Sequence, residues 1–286
     1  VSHAIYLSLL MVILASTAVV AAKFASRTAS TAAIVSVQFA ICTLLCLPTT
    51  LRPGLANLRT ERLGLHLFRG AAGVLGFYLY YGVLEYIPLV DAMLLRQTAP
   101  LAVPLVMWAW NREKVPTSAW LPLTIGFVGV AVILRPSPEG LSWWHAAGLM
   151  SGVALAISMV ATFRLATTEP DARILFYYFN LSLLCVLPFG VDDFGSIHWQ
   201  DWLAMVYIGV SIYFTLALYT RAYAIAPASA IAPVNYLVIV LGGFWGWAIW
   251  GQLPDLWSVV GSVLVIAGGL LTLFLARSKR PVIVPE

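Results

Sequence analysis

A charged residue and two prolines interrupt an apolar stretch that is long enough to cross a bilayer. The stretch reads LLRQTAPLAVP over 94–104 and contains Arg96, Gln97, Pro100 and Pro104. Proline at position i removes the backbone hydrogen bond to carbonyl i−4, so Pro100 frees the carbonyl of Arg96. A guanidinium at this depth rarely faces lipid, and it matches the geometry of a carboxylate. The pattern predicts that Arg96 binds a substrate carboxylate with Gln97 beside it, and that the two prolines form a hinge.

Two acidic residues near this stretch offer another role for Arg96. Glu85 and Asp91 belong to the same predicted hairpin, and either could hold the arginine in a structural ion pair. Both roles are compatible if the acidic partner releases Arg96 during a transport cycle. We therefore place Glu85 among the predicted gating residues and keep the ion pair as an open alternative.

Aromatic and hydroxyl side chains could complete a binding pocket around the arginine. Tyr78, Tyr81 and Glu85 follow the spacing i, i+3, i+7, which defines one stripe of a helix. Rings that carry a hydroxyl suit an amphipathic small molecule. Ser158 and Thr162 in a later apolar segment could line the same pocket. Packing between helices, or hydroxyl bonds to the helix backbone, is the alternative for each of them.

The elements that must position these residues are membrane-spanning helices. Apolar residues make up 61% of the 286 positions and charged residues only 10%, against about 25% charged in soluble domains. Each span needs about 20 mostly apolar residues. Ten segments qualify: 4–22, 31–51, 65–86, 89–110, 117–134, 144–163, 173–190, 200–225, 228–250 and 256–276. The composition predicts an all-α integral membrane protein and excludes a soluble fold.

Basic residues between the spans predict the orientation in the membrane. With the first residue inside, ten Lys or Arg residues fall on the cytoplasmic side and three on the other side. We therefore expect a multi-pass protein of the cell's inner membrane, surrounded by lipid, with both termini cytoplasmic. No long basic run is present, so no nucleic-acid partner is expected. We also expect a monomer with no cofactor and no metal.

An internal repeat relates the two halves of the chain. A shift of 139 residues aligns LYYGVLEYIPLVDAMLLRQTAPL with LYTRAYAIAPASAIAPVNYLVIV, so that Tyr80 meets Tyr219. Each half, 1–140 and 141–286, holds five predicted spans. Because five is odd, the second half enters the membrane upside down. Two inverted five-helix repeats around a central cavity are the architecture of alternating-access carriers.

The repeat also predicts candidates in the second half. The position of Arg96 becomes Asn235, which Tyr236 follows, and Tyr219 lies in the preceding span. We predict that these three residues line the substrate site. Arg221 lies near a helix end and is predicted to act in a gate, and Pro233 is predicted to act as a hinge.

The second half, from AYAIAPASAIAPVNYLVIV through GQLPDLWSVVGSVLVIAGGLLTL, resembles the last three helices of an EamA-type domain. The first half shows the same pattern of residues in YIPLVDAMLLRQTAPL and GFVGVAVILRP. The whole chain thus resembles a ten-helix carrier of the drug/metabolite transporter superfamily, which includes YddG-like amino-acid exporters. One departure from the family pattern is visible. Where EamA-type domains usually end the fourth helix of each repeat with Gly-Glu, this chain has Arg112-Glu113 in the first half and Gly251-Gln252 in the second. The resemblance implies export of small metabolites.

The expected function is a secondary transporter that exports small metabolites, amino acids first, including aromatic ones. Nucleosides, sugars, organic cations and drugs are the alternative substrates. An intramembrane enzyme is a second class, but the four histidines stand far apart and no residue is assigned a catalytic role. A channel or accessory subunit is a third. The first and sixth spans contain no Asp or Glu, which favours transport driven by the substrate gradient.

Overall fold

The structure is a computed structural model that describes residues 2–52, 58–111, 117–134, 142–195, 197–225 and 234–277. The described chain is almost wholly helical and contains no strand. Its helices are α1 Ser2–Ala25, α2 Thr31–Leu51, α3 Leu63–Gly82, α4 Leu89–Arg96, α5 Ala99–Asn111, α6 Thr117–Leu134, α7 Trp143–Leu165, α8 Asp171–Gly190, α9 Trp199–Ile225, α10 Leu237–Trp250 and α11 Leu256–Arg277.

Within the described residues, six helical stretches are long and apolar enough to cross a membrane, and three shorter apolar helices accompany them. The six are Ile5–Ala25, Thr31–Leu51, Leu89–Trp110, Trp143–Leu165, Asp171–Asp193 and Trp199–Tyr219. The predicted helical membrane fold is confirmed. One boundary is corrected: the third predicted span, 65–86, ends as a helix at Gly82 because turns occupy the residues that follow.

The fourth span is a broken helix. α4 ends at Arg96, the backbone turns at Gln97 and Thr98, and α5 begins at Ala99. Pro100 is therefore the second residue of a new helix, where its missing N–H has no intrahelical acceptor to lose. The fourth span is interrupted, as predicted, but both place and cause are corrected: the break lies at Gln97 and Thr98, and Pro100 starts α5 rather than weakening one continuous helix. Pro104 lies inside α5, as expected.

A second break lies at the equivalent position of the other half. Residues 234 and 235 are helical, Tyr236 forms a turn, and α10 begins at Leu237. The shift of 139 residues relates Gln97 to Tyr236, so both spans are interrupted at matching points. Paired broken helices are the feature by which inverted-repeat carriers build a binding site.

The helix packing repeats under the same shift, which exchanges α1 with α7, α2 with α8, α3 with α9 and α6 with α11. α1 packs along α9, and its counterpart α7 packs along α3. α2 packs on α8 and α6 packs on α11, so each of these pairs maps onto itself. The division into domains 1–140 and 141–286, their inverted orientation and a central cavity stay predictions.

Glycines allow α7 to reach the break between α4 and α5. A Cβ atom at Gly152 would lie 2.5 Å from the Thr98 hydroxyl oxygen, 2.6 Å from the Leu95 carbonyl oxygen and 3.2 Å from that of Arg96. The carbonyl that Pro100 leaves without a backbone donor therefore faces α7 rather than lipid. This placement satisfies the requirement that exposed backbone groups at membrane depth lie against protein.

Candidate functional site

Arg96 lies inside the helix bundle at the end of α4. Its Nη1 atom donates a hydrogen bond of 3.0 Å to the carbonyl of Gly76 in α3. The guanidinium carbon lies 4.5 Å from the ring centroid of Phe77 and 4.6 Å from that of Tyr80. One carbonyl dipole and two aromatic faces therefore hold the positive charge, an arrangement that gains energy as water is excluded.

The alternative ion pair for Arg96 does not form. Asp91 accepts a hydrogen bond of 3.1 Å from Ser258, and Glu85 is exposed at the surface. No carboxylate within the described chain pairs with Arg96. The physical reason is direction, because the side chain of Arg96 runs towards α3 whereas Asp91 points towards α11.

A polar pair lies beside the arginine at the centre of the bundle. Tyr81 is fully buried, and its hydroxyl donates a hydrogen bond of 2.6 Å to the Gln38 carbonyl oxygen Oε1. The Nε2 amide of Gln38 is buried without a hydrogen-bond partner in the described structure. A buried donor without an acceptor is costly, so this amide is a candidate ligand contact. Sequence reasoning missed Gln38.

The buried face of α3 carries the polar residues of this region. His66, Arg69, Gly73, Gly76 and Tyr80 follow at intervals of three or four residues, which places them on one stripe. The main-chain carbonyl of Gly76 accepts the hydrogen bond from Arg96. Gly73 makes room for a neighbour, because a tyrosine ring from α8 fills the position where it would carry a Cβ atom. The stripe thus aligns two arginine sites along one helix.

Arg69 is a second buried guanidinium on this stripe. Its Nε atom donates to the hydroxyl of Thr162, and Nη1 donates to the Ile174 carbonyl at 3.1 Å. Its guanidinium carbon lies 4.1 Å from the ring centroid of Tyr178. The sequence pattern located Arg69 within a span but gave it no role, although its spacing from Tyr80 could have identified it.

The other predicted residues of α3 and α7 divide between the interior and the surface. Tyr81 is buried, but Tyr78 is 43% exposed and Glu85 is exposed, so the predicted stripe does not form one buried wall. Thr162 is the partner of Arg69. Ser158 is buried one turn before it, and the Ser158 carbonyl accepts a hydrogen bond of 2.7 Å from Thr162.

The second-half candidates meet the first half at the two helix breaks. Gln97 donates from Nε2 to the Asn235 carbonyl at 3.4 Å. Tyr236 is buried against Gly269 of α11 rather than beside Arg96. Three other residues of the second half were predicted to act in the site or the gate. Tyr219 is half-buried, Arg221 is exposed, and Pro233 lies outside the described residues.

The two halves are joined at the face predicted to be cytoplasmic. Thr60 donates a hydrogen bond of 2.6 Å to Glu169, and Arg173 forms an ion pair of 2.7 Å with the same carboxylate. The hydroxyl of Tyr177 also donates to the Leu58 carbonyl at 2.8 Å. These contacts, which we call the cytoplasmic clasp, join the segment before α3 to Glu169, which lies between α7 and α8, and to the first two turns of α8.

A second set of contacts joins the two halves at the face predicted to be external. Thr28, in the turn between α1 and α2, donates a hydrogen bond to Asp201 of α9. Lys23 donates at 3.2 Å to the Ile87 carbonyl and lies 5.4 Å from the ring centroid of Trp250. We call these contacts the external clasp. Both clasps join residues from before position 141 to residues from after it.

Glu169 makes the stability of the cytoplasmic clasp depend on pH. Burial raises the pKa of the Glu169 carboxyl, but hydrogen bonds from Thr60 and Arg173 outweigh burial and leave its pKa below the usual value. A depressed pKa in the folded state stabilises the protein above about pH 4.3, and this contribution is lost as the pH falls further. Glu169→Gln should therefore lower the free energy of unfolding by about 1–2 kcal/mol at pH 7.

Thermal unfolding in detergent between pH 7 and pH 3 measures this difference. The gap between the unmodified protein and Glu169→Gln should shrink as the pH falls. Glu61→Gln, at an exposed position of the same segment, should leave the midpoint unchanged. A gap of constant size across the range would show that the carboxylate charge contributes nothing to the clasp.

These features define a class of protein: a polytopic membrane transporter whose buried cations lie between two clasped faces. The chain belongs to the EamA-like transporter family, whose profile matches residues 2–135 and 142–274. The pseudopaline exporter CntI of Pseudomonas aeruginosa is 30% identical over 260 residues, 90% of each chain. A riboflavin transporter of Vibrio cholerae is 26% identical over 85% of this chain and 83% of its own.

Two further comparisons extend these likenesses. An S-adenosylmethionine uptake transporter of Rickettsia bellii is 22% identical over 85% of this chain and 82% of its own. A solved crystal structure covers 98% of this chain and 99% of its own with a TM-score of 0.62 at 20% identity, which supports the fold. The expectation of a transporter rather than an enzyme is confirmed by the family and by these relatives.

Proposed function

We propose that this protein exports small carboxylate-bearing metabolites, amino acids among them, by alternating access. The observation that carries the proposal is the environment of Arg96. Its guanidinium lies inside the bundle at a helix break, and no carboxylate of the described chain neutralises it. A carboxylate on the substrate would supply the missing charge.

The energetics favour a ligand at this position. A desolvated charge without a partner costs several kcal/mol, and a partner with good geometry recovers most of that cost. Arg96 uses one of its five N–H groups in a hydrogen bond to the Gly76 carbonyl, so its guanidinium can still donate to both oxygens of a carboxylate. The rings of Phe77 and Tyr80 would contact the apolar part of the same molecule.

The names of the relatives support a small metabolite as the transported substrate, and they differ in which metabolite it is. The 30% identical relative is named for export of pseudopaline, and the others are named for riboflavin or S-adenosylmethionine. The aromatic residues around Arg96 favour substrates with a flat ring, so aromatic amino acids and riboflavin are both to be tested. Transport driven by the substrate gradient stays our expectation, since α1 and α7 contain no Asp or Glu.

Counterflow in proteoliposomes tests the proposal. Purified protein should exchange labelled amino acids across the membrane, and collapse of the proton gradient should leave this exchange intact. Amino-acid amides of the same shape should compete poorly, because they lack the charge that Arg96 requires. Nucleosides, sugars and riboflavin form the comparison set. Equal competition by acids and amides would contradict a carboxylate site.

A further inference from the structure

Two guanidiniums lie along one stripe of α3, and each packs against an aromatic ring. Arg69 is 6% exposed, and its guanidinium carbon lies 4.1 Å from the ring centroid of Tyr178. The guanidinium carbon of Arg96 lies 4.6 Å from the ring centroid of Tyr80 on α3. Along α3, Arg69 precedes Gly76, the carbonyl partner of Arg96, by seven residues. This separation corresponds to roughly 10 Å along the helix axis.

Neither positive charge is compensated within the described chain. Arg69 donates to the Thr162 hydroxyl and to the Ile174 carbonyl, which are both neutral acceptors. These two bonds leave three of its five N–H groups for another partner. Two like charges in a low-dielectric interior repel each other. An anionic group bound at Arg96 would neutralise only that arginine, and the charge on Arg69 would still lack a partner.

Two buried neutral groups with hydrogen-bond donors lie against α3. The Gln38 amide Nε2 and the Ser182 hydroxyl are both buried without a hydrogen-bond partner in the part of the chain that is described. Ser182 lies against α3, since a Cβ atom at Gly70 would be 3.9 Å from its oxygen. Gly70 directly follows Arg69. The Glu169 carboxylate lies 4.0 Å from His66 at the start of the stripe, but Thr60 and Arg173 already bind it. An anionic ligand would therefore find donors in this region that no carboxylate has engaged.

We infer that the transported molecule carries two acidic groups on one flat apolar body, with one acid at Arg96 and the other at Arg69. This inference rests on the proposed function and narrows its substrate class. Aromatic rings flank both guanidiniums, Phe77 and Tyr80 at Arg96 and Tyr178 at Arg69, and such a lining suits an apolar body between the two acids. A molecule with a single carboxylate would engage Arg96 alone.

Two probes of equal shape test this inference. 4-Carboxyphenylalanine carries a second acid, whereas 4-carbamoylphenylalanine carries a neutral amide at the same place. The concentration that halves counterflow should be at least about tenfold lower for the diacid, as a charged hydrogen bond predicts. Arg69→Gln should bring the two probes to the same concentration. Arg52→Gln, an exposed arginine at the end of α2, should preserve the difference.

The outcomes separate this inference from the proposed function. If the unmodified protein carries both probes equally well, the second acid has no partner and the inference is wrong, while the carboxylate site at Arg96 stands. If it carries neither these probes nor any other carboxylate, the proposed function fails as well. The ratio in the unmodified protein is decisive even if Arg69→Gln does not fold. Arg69→Lys, which retains the charge, should then keep part of the preference.

Discussion

Arg96→Gln should reduce the counterflow of carboxylate substrates at least about 100-fold, because removing one partner of a buried charge pair costs about 3–5 kcal/mol. Glutamine retains a hydrogen-bond donor for the Gly76 carbonyl, which Arg96 now contacts at 3.0 Å. It cannot neutralise a carboxylate, and it loses the cation–π contacts with Phe77 and Tyr80. Transport should fall while the purified protein still inserts and remains monodisperse.

Two matched variants show whether the loss comes from charge or from packing. Arg96→Lys keeps the charge but lacks the planar fork, so it should retain part of the activity. Arg52→Gln removes an exposed arginine and should transport normally. The reading of Arg96 as the carboxylate site would be overturned if Arg96→Gln exchanged amino acids as fast as the unmodified protein.

The fold was largely predictable because bilayer-length apolar segments and an internal repeat are visible in one sequence. The course of the backbone inside a span was less predictable. The sequence predicted that Pro100 would loosen the helix of the fourth span. The break lies instead at Gln97 and Thr98, where Gly152 of α7 packs closely against the backbone. A proline is tolerated in the first turn of a helix, so Pro100 is compatible with the start of α5. The end of α4 depends on packing against α7, which the sequence does not show.

The site was only partly predictable for a related reason. A charge inside an apolar segment stands out, so Arg96 could be chosen from its type alone. Gln38 and Tyr178 are ordinary residues of apolar helices, and their importance comes from contacts across the bundle with Tyr81 and Arg69. Helical periodicity grouped Tyr78 with Tyr81, but the orientation of α3 leaves Tyr78 43% exposed.

Cross-linking either clasp should stop transport, because alternating access requires each face to open once in every cycle. Thr60 contacts Glu169 at one face, and Thr28 contacts Asp201 at the other. Replacing both members of a pair by cysteine and joining them with a short bifunctional thiol reagent would fix that face closed. Transport should fall to the level of the fraction that escapes cross-linking, and reduction should restore it.

The experiment starts from Cys185→Ser, since Cys185 is exposed whereas Cys42 and Cys46 are buried from reagent. Single-cysteine variants and the pair Trp199→Cys with Leu203→Cys serve as controls. That pair lies one turn apart on the exposed face of α9, so joining it constrains no movement between the halves. Full transport with either clasp cross-linked would mean that these contacts persist throughout the cycle, and the gates would then have to lie elsewhere.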